Sequence, residues 1–383
     1  MVWKRASKCL GCMLGIVLAG CGSSTSSESI HIGAIYSLSG DQSTLDRSSL
    51  RGAQLAVDHI NESGGVNGTP IALVVRDGKT SSSAVASEAD DLYRSKGLSI
   101  VIGLSDTDLA LPVATTSEAV QGLFVTSGAT GPPLVVAAPR STFLACFSDD
   151  EQARAAADYC RDHLQLRAVS LIYDETSEYA HTLSRSFKTR FANTGGRITS
   201  EITYEGSALD LGSIVAKLKA ESPRGIFLAG QPQEVASLIS AIRAAGVSVP
   251  IIGGDSFDSN LIADLSPAVK SNVFYSTHVL LSGEQSSSQI VEFIKRYTAT
   301  YGEAPTTAFT ALGYDTVNLV ARAIEVAGST EPLAVRMALE AISKYPGVTG
   351  TISYGVGRHI PAKDVTIATF VGDTPVRAAV MRP

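Results

Sequence analysis

Short apolar runs alternate with amphipathic helical segments along most of the chain, and this alternation restricts the fold more than any other feature. In the first unit, apolar residues recur at helical spacing over 49–63, Gly64 and Gly65 supply a stop, and residues 71–76 form an apolar run. Repeated units of this kind place helices on both faces of a parallel sheet. The sequence therefore predicts an α/β fold built from doubly wound parallel sheets.

The alternation runs in two series, which predicts two such lobes. In the first series, strands are expected at IHIGAIYSL, 71–76, SIVIG and LFVTS, with helices at 49–63, 83–96 and near 108–121. After the strand STFLACF, the second series has helices at 151–164, 178–194, 211–220 and 232–245, each followed by a strand, namely RAVSLIY, RITSEITY, GIFLAG and VPIIGG. Helices near 286–302, 307–327 and 331–343 precede the short strands GTISY and DVTIATFV. We expect these three helices to pack on the first lobe and the last strand to return to the second.

The N-terminus has the layout of an export signal. A basic segment precedes the apolar stretch Leu10–Ala19, which is too short to span a bilayer as a stable helix. It ends in Leu-Ala-Gly followed by Cys21, which resembles the lipobox of bacterial lipoproteins. The resemblance implies a signal peptide over 1–20, lipidation of Cys21 and a flexible Ser-rich tether over 21–29. An ordinary signal peptide that contains a cysteine is the alternative.

Composition excludes several classes of function. The formal net charge is −6, and no basic stripe with interleaved aromatic residues appears, which argues against nucleic acid as a partner. The six histidines are scattered without HExxH or CxxC spacing, so we expect no metal site and no cofactor. No Gly-x-Ser-x-Gly elbow or Cys–His pattern stands out, and we expect a protein that is not an enzyme.

Two cysteines, Cys146 and Cys160, lie in the globular part of the chain. An exported protein meets an oxidising environment, which permits a disulfide between them. Two buried free thiols are the alternative, because the Cα–Cα distance of a pair cannot be read from sequence.

Ordered segments over nearly all of residues 30–372 are similar to the type I periplasmic binding proteins for leucine, isoleucine and valine. The segments are GAQLAVDHINESGGVNGTPIALVVRDG, SIVIGLSDTDLALPVA, FVTSGATGPPL, CFSDDEQARAAADYC, LIYDETSEYAHTL, FLAGQPQEVASLISAIRAAG, IIGGDSFDSNLI and ALGYDTVNLVARAI. The resemblance implies two lobes joined by three chain crossings, near 146–150, 275–280 and 358–363. The implied bounds are 30–148 plus 279–358 for lobe 1 and 149–278 plus 359–383 for lobe 2.

The resemblance also implies a mechanism and a set of partners. A small solute would bind at the carboxyl ends of the strands, between the lobes, and a hinge motion would close over it. We expect a monomer, exported and anchored by its lipid in the periplasm or on the cell surface, that delivers an amino acid or an amino-acid-like compound to an ABC permease. There are two alternatives. The protein would be a sensor that signals to a membrane receptor, or it would bind an amide or a small carboxylate.

The family's grip on an α-amino acid maps onto eight residues. Thr107, at the start of a helix that favours anions, would bind the ligand carboxylate, and capping of that helix is its alternative role. Gly128 would offer a carbonyl and Thr130 a hydroxyl, unless they form a plain turn. Asp255 would pair with the ammonium group, with a helix N-cap as alternative. Of the remaining four, Asp149 would position other residues of the site rather than contact the ligand, and Tyr179 would present its ring to the ligand. Leu45 and Gln231 stand where leucine binders commonly carry aromatic residues.

Three departures from the family pattern bear on the ligand. Asp106 and Asp108 flank Thr107 where small or neutral residues are usual, and Asp108 is a candidate cap for the helix. Gln231 and Leu45 replace aromatic walls. We therefore expect a ligand more polar than leucine, with the ammonium site kept and the side-chain pocket changed.

Overall fold

The computed structural model describes residues 1–3, 29–283 and 287–382. The predicted signal peptide beyond residue 3, the lipidation of Cys21 and the tether up to Glu28 lie outside the described residues. Within them, no helix is both long enough and apolar enough to cross a membrane.

Five parallel strands form the first sheet, in the order β2–β1–β3–β4–β5. The strands are β1 (Ile30–Tyr36), β2 (Ile71–Asp77), β3 (Ile100–Gly103), β4 (Leu123–Thr126) and β5 (Thr142–Leu144). The connecting helices are α1 (Ser43–Glu62), α2 (Ser82–Asp90), α3 (Thr107–Val120) and α4 (Pro133–Ala137). Ile32 packs with α1 on one face of the sheet, and Ile35 packs with α2 and α3 on the other. Both faces are buried, as the apolar strand sequences predict.

A second sheet begins with five further parallel strands: β6 (Ala168–Asp174), β7 (Arg197–Tyr204), β8 (Ile226–Ala229), β9 (Ile251–Gly253) and β10 (Val273–Thr277). The helices of this region are α5 (Asp149–Asp162), α6 (Glu178–Asn193), α7 (Leu211–Glu221), α8 (Pro232–Ala244), α9 (Asn260–Ala263) and α10 (Pro267–Lys270). Helices α5 and α6 cover one face, with Phe187 stacked on Phe227, while α7 and α8 cover the other. The fold is thus two doubly wound α/β lobes, as predicted.

The C-terminal region returns first to one sheet and then to the other. It contains α11 (Ser288–Tyr301), α12 (Ala308–Ala327), α13 (Pro332–Glu340), the hairpin strands β11 (Tyr345–Gly347) and β12 (Gly350–Ile352), and β13 (Val365–Val371) and β14 (Thr374–Met381). Helix α12 packs along α1, and β13 pairs antiparallel with β10, so both predicted placements are confirmed. The second sheet has the final order β14–β13–β10–β9–β8–β6–β7.

Two glycines permit the close contact of α12 with α1. A Cβ atom on Gly52 would lie 1.8 Å from the carbonyl oxygen of Thr310, and one on Gly313 would lie 1.9 Å from that of Ser49. Neither helix tolerates a side chain at these positions without moving apart. This contact holds the C-terminal helices on the first lobe.

Several local predictions differ from the structure. Helix α1 starts at Ser43, six residues before the predicted position 49, because its first turns are polar and lack the apolar repeat. The strand expected in GTISY pairs only in the β11–β12 hairpin and belongs to neither large sheet. Helices α4, α9 and α10 and strands β10 and β14 were not predicted. Strand β14 is partly exposed at a sheet edge, so its sequence lacks a continuous apolar run.

The chain passes between the sheets three times, and two of these crossings are tied together. The amide of Leu144 donates to the carbonyl oxygen of His359 at 3.0 Å. The ammonium group of Lys363 donates to the carbonyl oxygen of Ala145 at 3.0 Å. The two segments through which the chain enters the second lobe, after β5 and before β13, therefore run side by side.

Candidate functional site

The polar residues predicted as a binding site follow the carboxyl ends of strands in both sheets. Thr107 follows β3, the segment with Gly128 and Thr130 follows β4, and Asp149 follows β5. In the second lobe, Tyr179 follows β6, Gln231 follows β8, and Asp255 follows β9. Carboxyl ends of parallel strands share one edge of a sheet, so the two sets face each other across a cleft.

A buried hydrogen-bond cluster surrounds Asp255 in this cleft. The hydroxyl of Tyr179 and the amide nitrogen of Gln152 donate to its Oδ1, at 3.0 and 3.1 Å, and Nε2 of His278 lies 3.1 Å from its Oδ2. Asp255 is only 2% exposed. Its carboxylate contacts these side chains and caps no helix, so the capping alternative does not describe this residue. Burial lowers the pKa of His278, so its ring is neutral at neutral pH. Its contact with Asp255 is therefore a hydrogen bond and not an ion pair.

A second carboxylate, Asp149, is joined to this cluster through Gln152. Its Oδ1 accepts from the hydroxyl of Thr130 at 2.6 Å and from Gln152 Nε2 at 3.0 Å. Burial raises the pKa of Asp149 well above its usual value, and the neighbouring charge of Asp255 adds to the rise. One amide thus bridges two buried acids that follow strands of different lobes.

Two further predicted residues of the first lobe, Thr107 and Gly128, are buried near the strand ends. Thr107 is fully buried, and its hydroxyl accepts from the amide of Gly131 at 3.1 Å. It does not cap α3, because Asp106 does so by accepting from the amide of Leu109 at 3.0 Å. The backbone of Gly128 packs against the ring of Phe309, and a Cβ atom there would lie 2.8 Å from that ring.

Leu45 has a different environment from the polar residues. It is 2% exposed and belongs to the apolar core between the first sheet, α2 and α3.

Three acids at the cleft each accept a hydrogen bond from the N-terminal end of a different helix in the opposite lobe. Asp108 accepts from the amide of Glu178 at 2.9 Å and from the hydroxyl of Ser177 at 3.1 Å, at the start of α6. It therefore does not cap α3, its own helix. Asp106 accepts from Nε2 of Gln231, at the start of α8, at 2.7 Å.

The third contact runs in the other direction. Asp258 of the second lobe accepts from the amide of Ala308, in the first turn of α12, at 3.2 Å. Helix N-termini favour negative charge, so all three contacts hold the lobes together. Burial raises the pKa of both Asp106 and Asp258 to about 7.

Four residues of the site were missed by sequence reasoning: Gln42, Gln152, Asp258 and His278. Gln152 stands three residues after Asp149 on α5, and this spacing was a usable sign that both side chains share a helix face. His278 directly follows strand β10, where polar residues of this fold point into the cleft. Gln42, whose Nε2 donates to Oε1 of Gln231 at 2.5 Å, had no comparable sequence sign.

The two cysteines are buried free thiols in different cores. Cys146 belongs to the first lobe and donates to the carbonyl oxygen of Ala129, and Cys160 belongs to the core between α5, α6 and the second sheet. The structure therefore has the free-thiol alternative and no disulfide between them. Within the described part of the chain, no group of three or more His, Cys, Asp or Glu side chains has the geometry of a metal site.

Two doubly wound lobes around a buried polar cleft define a two-lobed solute-binding protein. Comparisons with known proteins agree with this class. Residues 29–374 match the periplasmic binding protein family. Leu/Ile/Val-binding protein homolog 1 of Brucella suis is 27% identical over 308 residues, which cover 79% of this chain and 80% of that protein.

Solved structures show the same fold. LivJ of Streptococcus pneumoniae, a branched-chain amino acid transporter substrate binding protein solved with isoleucine, matches with a TM-score of 0.85 at 25% identity, over 93% of this chain and 99% of that one. A solute binding protein of an ABC transporter from R. palustris, solved with benzoate, matches with a TM-score of 0.83 at 18% identity, over 93% and 97% of the two chains. The chain belongs to the periplasmic binding protein family, whose members are extracytoplasmic solute-binding proteins.

Proposed function

We propose that this protein captures an amino acid or an amino-acid-like compound in the cleft and delivers it to an ABC importer by closing its lobes. One observation carries the proposal: the buried Asp255 carboxylate, held by Tyr179 at the carboxyl end of β9, faces the first lobe across the cleft. A carboxylate in that place is suited to a ligand ammonium group, because a charge-assisted hydrogen bond is strong where water is excluded.

The relatives support the class of ligand. One is named as a Leu/Ile/Val-binding protein homologue, and one was solved with isoleucine. Benzoate, found in the more distant neighbour, is a less suitable guide for this chain. A ligand with only a carboxylate would lie beside the acidic groups of Asp149 and Asp255, and among the described residues neither acid pairs with an arginine or a lysine that could offset the added charge.

The contacts between the lobes support closure as the delivery step. Asp106, Asp108 and Asp258 each bond across the cleft, and these bonds exist only when the lobes are together. A ligand that contacts both lobes shifts the population towards the closed form, which an importer can distinguish from the open one.

The remaining predicted residues take supporting roles in this proposal. Asp149 would share the ammonium group with Asp255, and Thr130 and the Gly128 carbonyl would line its first-lobe side. Tyr179 and Gln231 would line the second-lobe side. We keep Thr107 as the candidate for the opposite pole of the ligand and Leu45 as apolar support behind the cleft.

Attachment and hinge also belong to the proposal. Lipidation of Cys21 would hold a monomeric protein at a membrane, with residues 21–29 as the tether. The hinge would lie at the crossings near 146–150, 275–280 and 358–363, which gives the lobe bounds predicted from the sequence. The paired segments at Leu144 and Lys363 agree with this placement.

Thermal unfolding of the purified protein against a panel of amino acids, amides and small carboxylates tests the proposal. The protein is first unfolded and refolded to remove carried-over ligand. Because the only tryptophan is Trp3, unfolding is followed by circular dichroism or a dye. A ligand at about 100 times its dissociation constant should add about 2.7 kcal/mol of stability. Asp255→Asn, which keeps the shape of the side chain, should abolish the shift; an unchanged shift would contradict the proposed role of Asp255.

A further inference from the structure

The proposed function gives an amino-acid ligand two fixed poles in the cleft. Asp255 and Asp149 lie at the ammonium pole. At the carboxylate pole, the hydroxyl of Thr107 accepts from the amide of Gly131 and keeps its own proton to donate. The amides of Thr107 and Asp108 have no acceptor among the described residues, so they are available to an anion. With both poles held, the walls of the cleft set the direction and length of the ligand side chain.

Aromatic rings close the side of the cleft where the chain crosses between the lobes. His278 stacks on Phe147 with ring centroids 3.7 Å apart. The ring of Phe309 lies against the backbone of Gly128 and meets His278 edge-on, with centroids 6.3 Å apart. Each of the three ring residues is at most 4% exposed, so this wall is packed and leaves no room for a ligand side chain. A side chain would extend instead towards the mouth of the cleft, where the starts of α3 and α8 meet.

The side-chain amide of Gln231, in the second lobe, bridges this mouth. Its Nε2 donates to Oδ2 of Asp106 at 2.7 Å, and its Oε1 accepts from Nε2 of Gln42 at 2.5 Å. Asp106 and Gln42 belong to the first lobe and are 5% and 4% exposed. Both ends of one amide are thus bonded across the cleft. The three side chains occupy the space through which a ligand side chain would leave the two poles.

A cavity of about 370 Å³ lies on the other side of this bridge. Gln231, Gln42 and Asp106 form part of its wall, and Leu109 and Leu209 add apolar surface from the two lobes. Its volume falls within the range of small-molecule sites, about 300–1,000 Å³. Among the described residues that line the cavity, none belongs to either pole. The bridge therefore separates the poles from a space that would accept an apolar side chain.

We propose that Gln231 limits the size of the ligand side chain, so that the protein selects small amino acids such as glycine and alanine over leucine. The inference deepens the proposed function and rests on it, because it takes both poles as given. A longer side chain reaches the cavity only by displacing the Gln231 amide, which breaks its bonds to Asp106 and Gln42. The buried groups of these two residues then lose their partner, and this loss weakens binding.

Isothermal titration calorimetry on the purified, ligand-stripped protein tests the selection. Glycine, alanine and leucine share both poles and differ only in their side chains. We expect alanine to bind at least ten times more tightly than leucine, which corresponds to about 1.4 kcal/mol. Glycine should also bind more tightly than leucine.

A variant without the bridge tests the assignment of Gln231. Gln231→Ala joins the poles to the cavity and should raise the affinity for leucine relative to alanine at least tenfold. The loss of bonds between the lobes weakens both ligands alike, so this ratio isolates the selection by size. Gln233→Ala is the matched control, because Gln233 is an exposed residue of the same helix and lines the same cavity. Its ratio should stay within twofold of the wild type.

The outcomes separate the two proposals. Leucine binding as tightly as alanine to the unaltered protein would overturn the inference and leave the proposed function in place. An unchanged ratio in Gln231→Ala would overturn the role of Gln231. Binding of none of the three amino acids would also overturn the inference, while the wider thermal-unfolding panel decides the proposed function separately. The ligand comparison uses the unaltered protein and does not depend on how the variants fold.

Discussion

The contact of Asp108 with the start of α6 makes a specific prediction about closure. Its carboxylate accepts two hydrogen bonds from the second lobe, from the amide of Glu178 and the hydroxyl of Ser177. Asp108→Ala removes both. The rest of α3 should be unaffected, because its cap is Asp106.

The magnitude follows from the kind of bond that is lost. A hydrogen bond to a charged group contributes about 1.5–3 kcal/mol when shielded, and the partial exposure of Asp108 reduces this. We take about 2 kcal/mol for the pair of bonds, including their position at a helix N-terminus. These bonds exist only in the closed form, so their loss lowers ligand affinity by the same free energy, about 30-fold.

Calorimetry gives the affinity, and small-angle X-ray scattering reports whether the ligand-bound protein is closed. Asp90→Ala is the matched control, since Asp90 is an exposed acid of the same lobe, paired with Arg94 and remote from the cleft. Asp108→Ala should bind ligand more weakly than this control and show a larger radius of gyration at equal ligand concentration. Equal affinity and equal scattering for the two variants would refute the role of this contact in closure.

Three further predictions concern stability and accessibility. Burial raises the pKa of Asp46 to about 7, so ionisation of its carboxyl group destabilises the folded protein. The free energy of unfolding should fall by about 4 kcal/mol as the pH rises from about 4 to about 7. Urea unfolding should show a smaller fall in Asp46→Asn. Cys146 and Cys160 should react with iodoacetamide only after unfolding, because burial raises both thiol pKa values, and mass spectrometry tests this. Gly52→Ala should lower the free energy of unfolding by about 3 kcal/mol, because the added Cβ clashes with α12. Gly64→Ala should cost only about 1 kcal/mol, because its Cβ meets open space and only the positive φ of 101° is unfavourable. Equal losses for the two variants in urea unfolding would contradict the clash.

The fold was predictable from the sequence because its signs are local. The run IVIG of β3 is buried at every position, and a strand buried on both faces must be apolar throughout. The break between the two series at STFLACF predicted two lobes. Strand β14 escaped prediction because an edge strand with one exposed face does not need a continuous apolar run.

The site was predictable as a set of positions but not as a set of contacts. Loops at strand ends were expected to carry Thr130, Asp149 and Asp255, and the structure brings these three into one network. The part played by Gln152 was hidden, because it connects residues that are more than one hundred positions apart. A separation of 69 and 70 positions from Ser177 and Glu178 likewise hid the fact that Asp108 bonds to the opposite lobe and not to its own helix.

The sequence by itself determined the α/β alternation, the two lobes and the strand ends at which polar side chains would gather. These properties follow from periodicity and from local turn and cap residues, which act within a few positions of the chain. Only the tertiary structure decided which acids face one another, that Cys146 and Cys160 lie in separate cores, and that α3 is capped by its own aspartate. The physical reason is that the charge balance of a buried cleft depends on side chains from distant segments. That balance exists only after the two lobes have packed together.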